Sequence, residues 1–230
     1  MSIAIETAPA GAPTFGAGGA EPYARALRSG DSRTLFLQEA DSGLRSSMDF
    51  ARWNADADLV DFTLLSDVTG PVLDIGCGPG RMVRAAMDLG MSALGIDVSP
   101  VAVQLARELG LNVIERSIFE PLPDEGRWQT ALLVDGNIGI GGDVAALLTR
   151  CRRLLAPAGE LVVETHPDEA RDYTYTGTLI DEHGGESASF PWAEIGFGPL
   201  VDLAASRGLR LRQRWELDGR TFCRFDRTGR

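Results

Sequence analysis

One run of ten residues, Val72-Leu-Asp-Ile-Gly-Cys-Gly-Pro-Gly-Arg81, restricts what this chain can fold into more than any other stretch. A short apolar strand runs into Asp74, three glycines follow at alternate positions (Gly76, Gly78, Gly80), and a helical pattern extends from Arg81 to Leu89. Glycines so placed let the backbone turn sharply from strand to helix and keep side chains away from any ligand lying on the main chain. The turn also aims unpaired N–H groups and a helix dipole at whatever sits above it. A dinucleotide fingerprint, G-x-G-x-x-G, would put its third glycine at position 81. Here that residue is Arg81, and the glycine comes one earlier.

A second apolar run, Met91–Asp97, ends in an acid, and Ser99-Pro100 then offers an N-cap and a first-turn proline for the next helix. A carboxylate at the tip of a second strand accepts both hydroxyls of a ribose, so Asp97 points to a nucleoside ligand; the alternative is a plain helix cap. Strand and helix patterns then alternate: strand Leu111–Glu115, strand Thr130–Val134, helix Asp143–Leu155 closed by the breakers Pro157 and Gly159, strand Glu160–Glu164. Alternating units of this kind predict a doubly wound α/β fold, a parallel sheet covered on both faces. The chain closes with a helix over Pro199–Ser206 and two strand-like runs, Leu209–Leu217 and Arg220–Phe225, joined by the hairpin signal Asp218-Gly219.

The pattern strand–(D/E)-x-G-x-G-x-G resembles the first motif of the class I S-adenosylmethionine (SAM)-dependent methyltransferases, and the resemblance extends from about Asn54 to Asp226. It implies a Rossmann-like, mostly parallel seven-stranded sheet with an antiparallel last strand from the C-terminal hairpin. It implies SAM as cofactor, with Asp74, Gly76, Cys77, Gly78 and Gly80 under its methionyl part and Asp97 and Val98 at its ribose. Ser117 stands where the family usually places an acid for the adenine amine, so Ser117 and Ile118 are the adenine candidates; the other reading is an ordinary loop with Phe119 in the core. The loop Asp135–Asp143 would flank the methyl group and its acceptor, making Asp135 and Asn137 candidates for orienting the substrate, with Asp143 a helix cap. Asp135 is also counted among the cofactor contacts. The loop lacks the [DN]-P-P-[FY] signature of enzymes that methylate amines of nucleic acid or protein glutamine.

His166, in Glu164-Thr-His-Pro-Asp168, falls at the carboxyl edge of the sheet, where open α/β folds bind ligands. It either takes a proton from the acceptor or lines the acceptor pocket. A metal reading of Glu164, His166 and Asp168 is weak, since the three alternate along a strand end, and no metal is expected. His183 reads as surface.

Residues 1–20, rich in Ala, Pro and Gly, read as a disordered tail. Residues 21–53 read as a helical cap, with helical pieces at Pro22–Arg28 and Arg33–Glu39, and 54–230 as the SAM-binding domain, with 171–192 an aromatic-walled lid. Its first helix, from Asn54 or Asp56 to Leu65, would turn Leu59, Phe62 and Leu65 inward and leave Asp56, Asp58 and Asp61 on a solvated face.

Composition narrows the function. The chain has no lysine, which removes P-loop and Schiff-base chemistry. A net charge of −11 argues against a nucleic-acid substrate and favours a small-molecule acceptor. Three scattered cysteines suggest a reducing compartment, the cytoplasm, and no run reaches the ~18 apolar residues of a membrane span. Expected, then, is a methyltransferase acting on an O, N or C nucleophile; the alternatives are a non-catalytic SAM-binding subunit or an NAD-dependent oxidoreductase.

Overall fold

The structure, a computed structural model, describes residues 14–17, 21–29 and 34–229. Helix α1 (Pro22–Ser29) is followed by strands β1 (Leu35–Glu39) and β2 (Arg45–Met48), then by short helices α2 (Phe50–Asn54) and α3 (Leu59–Leu65). The helix expected over Arg33–Glu39 is therefore a strand, with Arg33 outside the described residues. Leu35 and Leu37 alternate inward, the period of a strand, and β1 pairs antiparallel with β2 on one side. Of the supposed tail, Thr14–Ala17 is described and packs: the Phe15 ring lies 5.4–6.0 Å from Tyr23, Trp53, Phe190 and Trp192. The rest of that stretch lies outside the described residues.

Helix α3 starts later than expected because Asp58, not Asn54 or Asp56, caps it. Asp58 accepts the Asp61 N–H at 2.9 Å and Asp61 accepts the Asp58 N–H at 3.1 Å. The late start rotates the buried face to Val60, Asp61, Leu64 and Leu65 and leaves Leu59 84% exposed. Asp61 is thus buried rather than solvated.

The nucleotide-fold core runs β3 (Val72–Ile75), α4 (Arg81–Asp88), β4 (Ala93–Asp97), α5 (Pro100–Glu108), β5 (Val113–Glu115), β6 (Trp128–Leu133), α6 (Val144–Leu154) and β7 (Leu155–Thr165). Ser99 caps α5, with Pro100 in its first turn, and Asp143 caps α6. After β8 (Asp172–Asp181) and β9 (Phe190–Ile195) come α7 (Phe197–Ser206), β10 (Leu209–Leu217) and β11 (Arg220–Arg227). The main sheet has the order β10-β11-β7-β6-β3-β4-β5. Every neighbouring pair among β3–β7 is parallel, and β11 is antiparallel to both β7 and β10. The hairpin turn at Asp218-Gly219, both with positive φ, inserts β11 between its partners.

A second sheet, order β2-β1-β8-β9, has no counterpart in the sequence reading. The segment expected as a lid supplies two of its four strands, and the supposed helical cap supplies the other two. Its inner face buries Leu35, Leu37, Leu179, Phe190 and Trp192 with Tyr23, Leu27 and Val101 from α1 and α5. The small sheet therefore roofs the carboxyl edge of the large one.

Candidate functional site

At that edge lies a cleft of about 1050 Å³ including its mouth. The turn between β3 and α4 forms one wall. Gly76 and Gly78 have φ of +71° and +53°, a region closed to most side chains. A Cβ on Gly78 would meet only the Tyr23 hydroxyl, at 3.2 Å, so the loop's open side faces the cleft. Gly80 plays a different part from the one expected. It does not line the cleft, and a Cβ there would come within 2.6 Å of Leu111, so it serves packing beneath the loop. The Cys77 sulfur likewise packs against Gly95, and burial holds its thiol well above the ordinary range.

Asp97, at the tip of β4, accepts the Gly78 N–H at 2.8 Å and the Ser99 N–H at 2.7 Å, fastening the loop to the second strand. Burial raises its pKa, and the backbone N–H groups of Ser99, Gly78 and Val98 oppose the rise. Asp74 differs. It is buried, lines the cleft, and makes no side-chain hydrogen bond among the described residues. Burial pushes its carboxyl to about 7; Arg81 counters this, while Asp135, Asp97 and Asp61 add to it. Val98, Ser117, Ile118 and Phe119 line the opposite wall. The Ser117 hydroxyl is engaged locally, accepting the Phe119 N–H at 3.3 Å.

Asp135 and Asn137 also line the cleft, but both are held from behind. The Asn137 amide donates to the Ile75 and Gly76 carbonyls at 2.9 and 3.0 Å, bracing the glycine turn. Asp135, with φ +56°, is gripped by Arg81, by Arg220 at 3.2 Å and by Arg52 at 3.4 Å. The same arginines reach Asp61: Arg81 directly, Arg52 at 2.7 Å and Arg220 at 3.5 Å. Arg220 also forks onto Glu164, both bonds 2.7 Å, and Glu164 accepts the Asp135 N–H at 2.6 Å. Burial raises the Asp61 pKa, but the Arg81 hydrogen bond and charge outweigh it and hold the carboxyl below its usual range.

This network was not foreseen, although one signal for it exists. An arginine opening a helix opposes the helix dipole, so Arg81 required an acidic partner. Glycines of the later loop allow close packing: Gly139 abuts Ala193 and Trp192, Gly142 abuts Pro191, and Gly141, against Phe119, also lines the cleft.

His166 lies outside the cleft, in a neighbouring cavity. Its Nδ1 accepts the Asp168 N–H at 3.0 Å, which places the proton of the neutral ring on Nε2. A ring so held donates from Nε2 and is not poised to accept there, which disfavours the general-base reading. Among the described residues no cluster of His, Cys, Asp or Glu is placed to hold a metal ion.

A parallel sheet with an inserted antiparallel strand, carrying a glycine turn and an acid at the second strand tip, defines a Rossmann-like nucleoside-binding protein. Residues 72–159 match the model of a methyltransferase domain. A ubiquinone biosynthesis O-methyltransferase of Chelativorans is 30% identical over 99 residues, 41% of this chain and 39% of that protein. A ribosomal protein L11 methyltransferase of Xylella fastidiosa is 35% identical over 96 residues, 41% of this chain and 31% of that protein. The chain thus spans less than half the length of these relatives. A SAM-dependent methyltransferase from Bacteroides fragilis, solved with S-adenosylhomocysteine, superposes with a TM-score of 0.74 at 18% identity, covering 90% of this chain and 93% of that one. The chain carries a methyltransferase domain in the Rossmann-like fold of the SAM-dependent methyltransferases.

Proposed function

We propose that this chain binds S-adenosylmethionine in the cleft and transfers its methyl group to an O, N or C nucleophile of a small molecule. One observation carries the reading: Asp74, Asp97 and Asp135 line the glycine cleft, its two arginines, Arg81 and Arg116, are paired with Asp61, Asp135 and Glu120, and the Asp74 carboxyl accepts no hydrogen bond among the described residues. A cationic ligand suits such a wall, and a dinucleotide's pyrophosphate does not. Asp74 would take the ligand's ammonium group. Asp97 keeps lone pairs beyond its backbone N–H donors and would accept the ribose hydroxyls. The backbone at Gly76 and Gly78 would lie under the methionyl chain, with Val98 beside the ribose and Ser117 and Ile118 flanking the adenine.

When bound, the sulfonium supplies an activated methyl whose transfer is already downhill. The residues around it therefore have mainly to position and exclude water. Asp135, immobilised by three arginines, sets the boundary between cofactor and acceptor, and Asn137 keeps the glycine turn in register. The net charge of −11 supports a small molecule over nucleic acid, and the three buried free cysteines fit a reducing compartment such as the cytoplasm. No helix among the described residues is long and apolar enough to cross a membrane.

The test is thermal-shift titration with SAM, S-adenosylhomocysteine and NAD, since ligand binding raises stability by RT ln(1 + [L]/Kd). Stabilisation by the first two alone is expected; an equal shift with NAD would refute the assignment. A chain stabilised by SAM that releases no S-adenosylhomocysteine with any acceptor would be the non-catalytic binding subunit.

A further inference from the structure

The cavity holding His166 has a volume of about 730 Å³ including its mouth and shares Met48, Asp135 and Trp192 with the cofactor cleft. Both sheets build it: Ser47 comes from β2, Glu164 and His166 from the end of β7 and beyond, and Glu194 from β9. Three carboxylates, Asp135, Glu164 and Glu194, line it, and among the described residues no arginine does. The guanidinium groups that balance them stand behind the wall and are already engaged. Arg220 holds Glu164 and Asp135, Arg81 holds Asp135 and Asp61, and Arg171 holds Glu194 at 2.7 Å. An anion entering here would meet carboxylates and find no free cation.

Among the described residues the one basic group of the lining is His166, whose Nε2 lies 3.9 Å from Glu194 Oε2. That separation is too long for a hydrogen bond, yet one oxygen or nitrogen atom set to the side of the gap would reach both groups. Such an atom must accept from the imidazole N–H and donate to the carboxylate. A hydroxyl or an amine does both; a carboxylate or a fully ionised phosphate has nothing to donate to Glu194. We propose that this cavity holds the methyl acceptor, a small molecule that sets a hydroxyl or amino group between His166 and Glu194 and carries no anionic group.

The inference rests on the methyl-transfer reading, so cofactor binding is measured separately, by calorimetric titration of the full chain with S-adenosylhomocysteine. The chain is then screened with SAM for S-adenosylhomocysteine release against metabolites divided evenly among hydroxylated, amino and carboxylated or phosphorylated compounds on matched skeletons. Turnover is expected with hydroxylated or amino compounds, the anionic homologue of each hit being at least about tenfold lower in kcat/KM. Ser47→Trp, which puts an indole into the cavity from an exposed strand position, should raise the acceptor KM about tenfold and leave S-adenosylhomocysteine affinity unchanged. Glu194→Gln, nearly isosteric, should narrow the gap between each hit and its anionic homologue, and it carries the test alone if the indole disturbs the strand. Turnover confined to anionic compounds or to macromolecules overturns the proposal. So does an empty screen by a chain that binds S-adenosylhomocysteine, or an unaltered preference in Glu194→Gln. Failure to bind S-adenosylhomocysteine at all would instead overturn the methyl-transfer reading.

Discussion

The two cavities of this molecule share a wall but are built by opposite means. The floor of the glycine cleft is a local device, a strand, a glycine turn and a helix within ten residues with an acid 17 residues beyond Gly80, although its other walls come from distant segments. Its neighbour is made by side chains from β1, β2, β7 and β9, strands that meet only because the two sheets face each other. Between them stands the cluster of Asp61, Asp135 and Glu164 with Arg52, Arg81 and Arg220. A floor built from one turn survives any rearrangement that keeps the turn. A site built by juxtaposition depends on what fixes each of its walls, and the buried ion pairs fix the wall that the two cavities share.

The largest expected effect tests this dependence. Asp61→Ala leaves Arg81 and Arg52 facing a hole, and loss of one partner from a buried ion pair costs about 3–5 kcal/mol. Chemical denaturation should show a loss of that size. A variant as stable as the parent would mean that the network does not hold the partition.

Gly78→Val should separate the cavities. Its side chain would enter the cleft at a backbone angle that branched residues avoid, weakening SAM binding about a hundredfold, within the ~1–3 kcal/mol range of overpacking. Calorimetry would measure it, and the neighbouring cavity should be untouched. Asp97→Ala should cost roughly 1.5–3 kcal/mol of SAM affinity, the scale of hydrogen bonds to a charged acceptor. Unchanged affinity would remove Asp97 from the cofactor site.

Next in size is a pH effect. Burial sets the free Asp74 carboxyl at about 7, raised from 3.8. A ligand ammonium beside it favours the ionised form, so the pKa falls on binding. SAM affinity is therefore full above pH 7 and drops about tenfold per unit below it, until the lower pKa of the complex is reached. Calorimetry at pH 8 and pH 6 checks the sign, and Asp74→Asn should flatten the profile. The smallest effect is expected at His166. With Nδ1 already accepting a backbone N–H, His166→Gln should keep kcat within about threefold and raise the acceptor KM. A loss of kcat by about 10²–10⁴ with an intact KM would restore it as a general base.

The legibility of these parts follows their construction. The strand-turn-helix at Val72–Arg81, the caps at Ser99 and Asp143 and the hairpin at Asp218-Gly219 each rest on interactions within a few residues, and each could be read directly. The second sheet could not. Its strands come from segments more than 120 residues apart, with Leu35 opposite Asp181 and Leu37 opposite Leu179, and nothing local in Arg33–Glu39 distinguishes a strand from a helical piece. Asp61 was misplaced for a similar reason. Three acids at two- and three-residue spacing look solvated until Asp58 and Asp61 close a capping box and Asp61 also meets Arg81.

The amino-acid sequence by itself determined the doubly wound core and the cofactor turn, because steric limits on the backbone and the alternation of apolar residues act at short range and need no partner. Only the tertiary structure decided the second sheet, the arginine-carboxylate partition and the His166 cavity. In those, each residue's role is set by the charge or surface that arrives opposite it, and that information belongs to the packed chain.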